Sequence, residues 1–167
     1  MDKKKNKEGL NLLIKIIVTA LVIFLLSTFV FGVLIVKDNN MYPRISEGDL
    51  LLYYRLSDEH NSGDVVVCEV NGETVIGRVI AKGGDTVDFT NDGRILVNNM
   101  PLGQEMFYNV IPSQNGPIEY PLTIENSQYF ILSDYSAESK KDSRTFGTVN
   151  DNEIKGETIT VARRRGF

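Results

Sequence analysis

From Ile16 to Val36 the chain reads IIVTALVIFLLSTFVFGVLIV, an uncharged and mostly apolar stretch, and the apolar run reaches back to Leu10 with Lys15 as its one charge. A bilayer core of roughly 30 Å is crossed by a helix of about 20 apolar residues, so residues 10–36 are expected to form a transmembrane anchor. A cleavable secretory signal has a shorter apolar region followed by a small-x-small site. This run instead ends in Leu34-Ile35-Val36-Lys37-Asp38, so the segment is expected to be retained. Lys3, Lys4, Lys5 and Lys7 precede it, and only Lys37, beside Asp38, follows closely. That charge bias assigns residues 1–9 to the cytoplasm and residues 37–167 to the extracytoplasmic face of a single-pass cell-membrane protein. The competing reading, a buried core helix, would require a small domain to cover the run on every side.

The rest of the chain is mildly acidic. The formal charge of −4 divides into +3 over residues 1–36 and −7 beyond, which argues against a nucleic-acid partner. Cys68 is the one cysteine and His60 the one histidine, so an internal disulfide or a Cys/His zinc site lacks material, and no cofactor is expected. Cys68 alternates within Val65–Val70 and reads as a small packed residue; His60 reads as a loop residue. Short runs rich in β-branched, leucine or aromatic residues fall at 50–54, 64–70, 73–81, 86–89, 94–97, 128–132 and 158–163, so the outer domain is expected to be mainly β. Asn71-Gly72 and Asn91-Asp92-Gly93 mark hairpins. Residues 98–127, with Pro101, Pro112, Pro117 and Pro121, read as a long surface excursion of the kind that carries partner contacts.

Four fragments in order carry a resemblance. They are Asn40-Met41-Tyr42-Pro43 with Gly48-Asp49; Gly63-Asp64-Val65-Val66-Val67; Gly77-Arg78-Val79-Ile80-Ala81-Lys82-Gly83-Gly84-Asp85; and Ser133-Asp134-Tyr135 through Asp142-Ser143-Arg144. Behind an N-terminal anchor, they resemble the type I signal peptidases, membrane-bound peptidases with a serine nucleophile and a lysine general base. The resemblance implies a signal-peptidase-like antiparallel β domain behind a single transmembrane helix. It places the nucleophile at position 40 and the base at position 77, and there the chain departs from the family. Asn40 offers no acyl-transfer nucleophile and Gly77 no side chain to accept a proton, so neither role is filled. Ser46 and Lys82 are the nearest substitutes. Lys82 lies five residues after Gly77, and in an unbent strand that odd offset directs it to the opposite face.

The expected protein is therefore a catalytically inactive homologue whose former substrate groove, built from Asn40, Met41, Pro43, Gly77 and Arg78, holds an extended segment instead of cutting it. By resemblance, Asp142, Ser143 and Arg144 support the old site, and Met41 sits at a rim that touches membrane lipid. Gly77 also fits a bulge or tight packing within the strand, and Asn40 a turn or cap residue. Proteins with both catalytic positions replaced resemble the pilus assembly proteins of Gram-positive bacteria, which implies a chaperone-like role with a pilin precursor or a class C sortase as partner. The alternative is an active signal peptidase with displaced catalytic residues. The terminal Arg163-Arg164-Arg165 reads as solvated.

Overall fold

The computed structural model describes residues 2–103, 118–135 and 141–163. Helix α1 runs Asp2–Val30, and its segment Lys7–Val30, with a mean hydropathy of 2.6, is long and apolar enough to cross a membrane. None of that segment is buried by the rest of the protein. Two hydroxyls within it bond back along the helix, Ser27 to the Phe24 carbonyl and Thr28 to the Leu25 carbonyl, both at 2.8 Å. No water is needed to satisfy them.

The helix stops six residues before the expected end of the anchor. Phe31–Ile35 leave it as strand β1 and pair antiparallel with β2 (Leu50–Tyr54), from Phe31 opposite Tyr54 to Ile35 opposite Leu50. An apolar run has no helical or strand period of its own, and here the cross-strand partner decides. Gly32 makes the pairing possible, because a Cβ there would land on the Tyr53 ring. Arg55 finishes the junction: its backbone N–H donates to the Val30 carbonyl at 2.9 Å and its Nε to the Phe31 carbonyl at 3.2 Å. An otherwise unpaired C-terminal helix carbonyl is thus satisfied, and a cation stands at the negative end of the helix dipole.

Seven strands form the larger sheet, in the order β1, β2, β11 (Ile154–Ala162), β3 (Val65–Val70), β4 (Glu73–Lys82), β9 (Gln128–Leu132) and β10 (Val149–Asn150). A four-stranded sheet runs β7 (Met100–Pro101), β6 (Ile95–Val97), β5 (Thr86–Phe89) and β8 (Leu122–Thr123). Every pairing is antiparallel, so the expected mainly β, signal-peptidase-like antiparallel class behind one N-terminal apolar helix is what the chain forms. Asn71-Gly72, with φ of 53° and 78°, turns β3 into β4 as read from the sequence. Asn98-Asn99, with φ of 53° and 63°, turns β6 into β7 within the region expected to be an excursion. Much of that region, including Pro112 and Pro117, lies outside the described residues.

Strand β4 joins the cores. Val75 and Val79 pack with Val66, Cys68, Ile131 and Val149 on one face. The register with β9 then slips between Val79 and Ala81, a bulge, so that Ile80 and Ala81 both enter the core shared with Val87, Ile95, Ile124 and Phe130. Strict alternation would put Val75, Gly77, Val79 and Ala81 on one face, and the bulge breaks that pattern at Ala81. A third cluster, with Val36, Met41, Ile45, Leu51, Tyr53 and Val67, fastens β1 and the following loop to the sheet.

Replacing Gly32 with leucine is expected to destabilise the full chain by about 1–3 kcal/mol through overpacking against Tyr53. Thermal unfolding in detergent checks this against Gly9→Leu on α1, where a side chain meets nothing within 4 Å and no loss is expected.

Candidate functional site

Residues 36–49 fold back on themselves before entering β2. Val36 donates to the Asp49 carbonyl and Gly48 to the Val36 carbonyl, each at 2.9 Å, while the Asp49 carboxylate accepts the Ser46 N–H at 2.9 Å. Asn40 lies in a turn in which its N–H reaches the Asp38 carboxylate at 3.2 Å. Its carbonyl accepts the Tyr135 N–H at 2.8 Å, and the Asp134 N–H points at the Met41 sulfur, 3.5 Å away. Met41 is only 1% exposed, within the third core cluster. The sequence reading of Met41 as a rim residue in contact with lipid is therefore corrected: the sulfur and its neighbours are filled by core, and Tyr42 is the exposed residue beside it. Pro43, joined to Tyr42 by a cis peptide bond, lends its carbonyl to the Arg163 guanidinium at 3.1 Å.

Gly77 lies buried in β4, opposite Val66 of β3. A Cβ at this position would stand 3.0 Å from Cδ1 of Ile131 and 3.2 Å from its Cβ, so the isoleucine occupies the space a longer residue would enter. β9 accompanies β4 only from Arg78 to Lys82. Among the described residues, Glu73–Gly77 has a ladder partner on the β3 side alone. Near the start of this open stretch, Glu73 pairs with Lys141 at 2.7 Å on the surface. That hydrogen bond, followed by the charge attraction, holds the Glu73 carboxyl below its usual range and lifts Lys141 above its own.

Arg78 does not face a groove. Its Nε and Nη2 grip both carboxylate oxygens of Asp134 at 2.7 and 2.5 Å, and its Nη1 donates to the Gly63 carbonyl at 2.6 Å, with side chains 7% and 5% exposed. With three of its five donors held inside the protein and its side chain buried, it is a clamp and not a contact for a bound segment, which corrects its place in the expected groove. The Asp142 carboxylate, wholly buried, caps the short helix α2 (Ser143–Phe146) through the Arg144 N–H at 3.1 Å. It also accepts the Arg144 guanidinium at 2.6 Å and the Ser133 N–H at 3.3 Å. Ser143 Oγ accepts the Ile131 N–H at 2.9 Å. The residue pressed against Gly77 is thus held in place by the Asp142-Ser143-Arg144 turn. Ile131 could have been suspected from the sequence only by counting back along β9 from Asp134.

The remaining candidates lie elsewhere. Ser46 sits in the turn before Asp49, and Lys82 ends β4 with its ammonium 3.4 Å from the Asn61 side-chain oxygen. Among the described hydrogen bonds the two share no partner. Cys68 is fully buried, and desolvation, with Glu153 second, pushes its thiol up to about 12, so it packs and does not react. His60 is in a loop as read, yet it is 2% exposed, its ring 5.4 Å edge-to-face from Tyr129.

This is the architecture of an apolar N-terminal helix feeding straight into an antiparallel β domain, with Asn40 and Gly77 brought to one 131–135 segment. The family model for signal peptidase, peptidase S26, matches residues 10–162, and the chain belongs to that family. It is 28% identical to signal peptidase I P of Bacillus subtilis subsp. natto, across 93% of this chain and 90% of that protein. It is 22% identical to a protein named inactive signal peptidase IA from Staphylococcus aureus strain COL, across 90% and 89%. The crystal structure of a signal peptidase I from Enterococcus faecalis superposes with a TM-score of 0.50 at 27% identity, covering 61% of this chain and 97% of that one.

Two outcomes follow from the packing. Asp134→Ala strands the Arg78 guanidinium in the interior and is expected to cost about 3–5 kcal/mol, whereas Lys141→Ala on the surface leaves the denaturant midpoint unchanged. Gly77→Lys is expected to cost about 1–3 kcal/mol in the same measurement, with much of the loss recovered when Ile131 is also shortened to alanine.

Proposed function

We propose that this protein is a non-cutting signal peptidase homologue that holds an extended polypeptide for assembly. In this reading α1 anchors it in the cell membrane with residues 1–9 in the cytoplasm and the β domain outside. The observation that carries the reading is the pair Asn40 and Gly77. Where the family resemblance calls for a serine and a lysine, one residue offers an amide and the other no side chain. The crowding of Gly77 by Ile131 supports it, since a restored lysine would have to displace a packed side chain. The relatives named inactive signal peptidase IA support it as well. Among the described residues the pairing of Glu73–Gly77 is one-sided, which suits a strand-addition mode, in which main-chain hydrogen bonds hold the segment and side-chain pockets select it. By resemblance, the segment held belongs to a pilin precursor or a class C sortase, and the process served is polymerisation of surface pili.

The test is a gel time course of the full chain in detergent with a pilin precursor and with an ordinary secretory preprotein. A photo-crosslinking amino acid at Thr74 reports on binding. Neither substrate is expected to be trimmed, and the pilin precursor is expected to crosslink. Trimming that disappears in Ser46→Ala or Lys82→Ala would overturn the proposal in favour of an active peptidase with displaced residues, a reading the active-sounding names of the Bacillus relative and of signal peptidase IB keep open.

A further inference from the structure

Beside the first half of β4, where among the described residues a partner strand is present on the β3 side alone, a cavity of about 220 Å³ lies between the β3–β4 hairpin and α2. Val70 and Val75 reach it from the hairpin and Phe146 from α2, three side chains that belong to the packing around Val66 and Val149. Glu73, Lys141 and Thr145 stand around them. Glu73 and Lys141 are bonded to one another at 2.7 Å, so the two charges at the cavity offset each other and an ionic guest gains no net attraction. What the walls offer is the apolar surface of two valines and a phenylalanine, in a space larger than the roughly 150 Å³ apolar cavity that accepts benzene.

The two faces of β4 decide what reaches this space. Ile76 packs towards the cluster that contains Met41, whereas Val75 is turned to the cavity side. A strand added beside Glu73–Gly77 alternates in the same way, so its residue opposite Val75 enters the cavity and the residues on either side turn to the Ile76 face. Resting on the strand-addition reading above, we propose that the cavity selects the held polypeptide by one large aliphatic side chain, of leucine size, at the position opposite Val75. Main-chain pairing is open to almost any sequence, and burial of that side chain supplies the preference that backbone hydrogen bonds lack. A glutamate or lysine at the same position would exchange its hydration for a site whose charges are already paired with each other.

The probes are peptides of sequence N-acetyl-Ser-Thr-Ser-X-Ser-Thr-Ser-amide, with X as Leu, Ala, Glu or Lys, titrated into the full chain in detergent. One sample carries a photo-crosslinking amino acid at Thr74, and another carries labelled valine methyls. Crosslinking at Thr74 is expected with every peptide. The leucine peptide is expected to bind about tenfold tighter than the other three and to be the one that shifts the Val70 and Val75 methyl resonances. Thr145→Trp, which fills the cavity from an exposed position, is expected to bring the leucine peptide down to the affinity of the alanine peptide while crosslinking persists. Equal affinities for all four peptides, a leucine preference unchanged in Thr145→Trp, or tight binding of the leucine peptide that leaves both methyl resonances in place overturns the cavity and leaves strand addition standing. Absence of crosslinking with every peptide overturns strand addition itself, and the selection by the cavity with it.

Discussion

The grip of Arg78 on Asp134 is the contact around which the β domain is organised. A guanidinium and a carboxylate taken out of water are costly unless hydrogen-bonded, and here the fork geometry, with the Gly63 carbonyl as a third acceptor, engages both carboxylate oxygens and three of the five guanidinium donors. The pair ties the middle of β4 to the segment after β9. That same segment then reaches the loop after β1, through the Asp134 N–H at Met41 and the Tyr135 N–H at Asn40. Three stretches far apart in the chain meet at one buried charge pair. Asn40 and the β4 residues beside Gly77 are thereby held in register with one another.

The turn after this segment serves the same packing. Asp142, Ser143 and Arg144 cap α2 and fix the Ile131 backbone, work that a fold requires independently of any catalytic step. Glycine at 77 lets Ile131 close over β4 and extends the apolar core with Val66 and Val79. A lysine there would bring a cation into that core, where desolvation disfavours charge.

Most of the strand positions were legible because hairpin turns with Asn-Gly chemistry and β-branched runs speak locally; β2, β5 and β9 fall at the residues expected. What was not legible depended on partners remote in sequence. Phe31–Ile35 is as apolar as the helix before it, and only Leu50–Tyr54 across from it makes it a strand. The bulge after Val79 arises from the fit of β4 to β9, so alternation counted through Ala81 places that residue on the wrong face. Met41 and Arg78 carry motif positions, but their burial follows from the return of residues 133–135, which no local pattern announces. His60 looked like any loop histidine because its neighbours Asp58, Glu59 and Asn61 are polar; its burial comes from Tyr129, nearly seventy residues on.

The direct passage from α1 into β1 leaves no slack between helix and sheet. A flexible linker would let the domain tumble relative to the helix; here the helix end is stapled by Arg55 and the next residue is already paired. Force applied along the helix is delivered to five antiparallel residue pairs of β1 and β2 loaded in shear, so they resist together instead of opening one at a time. The β domain therefore keeps a set heading relative to α1, like a tool on a rigid handle, and a turn of the helix is a turn of the whole sheet.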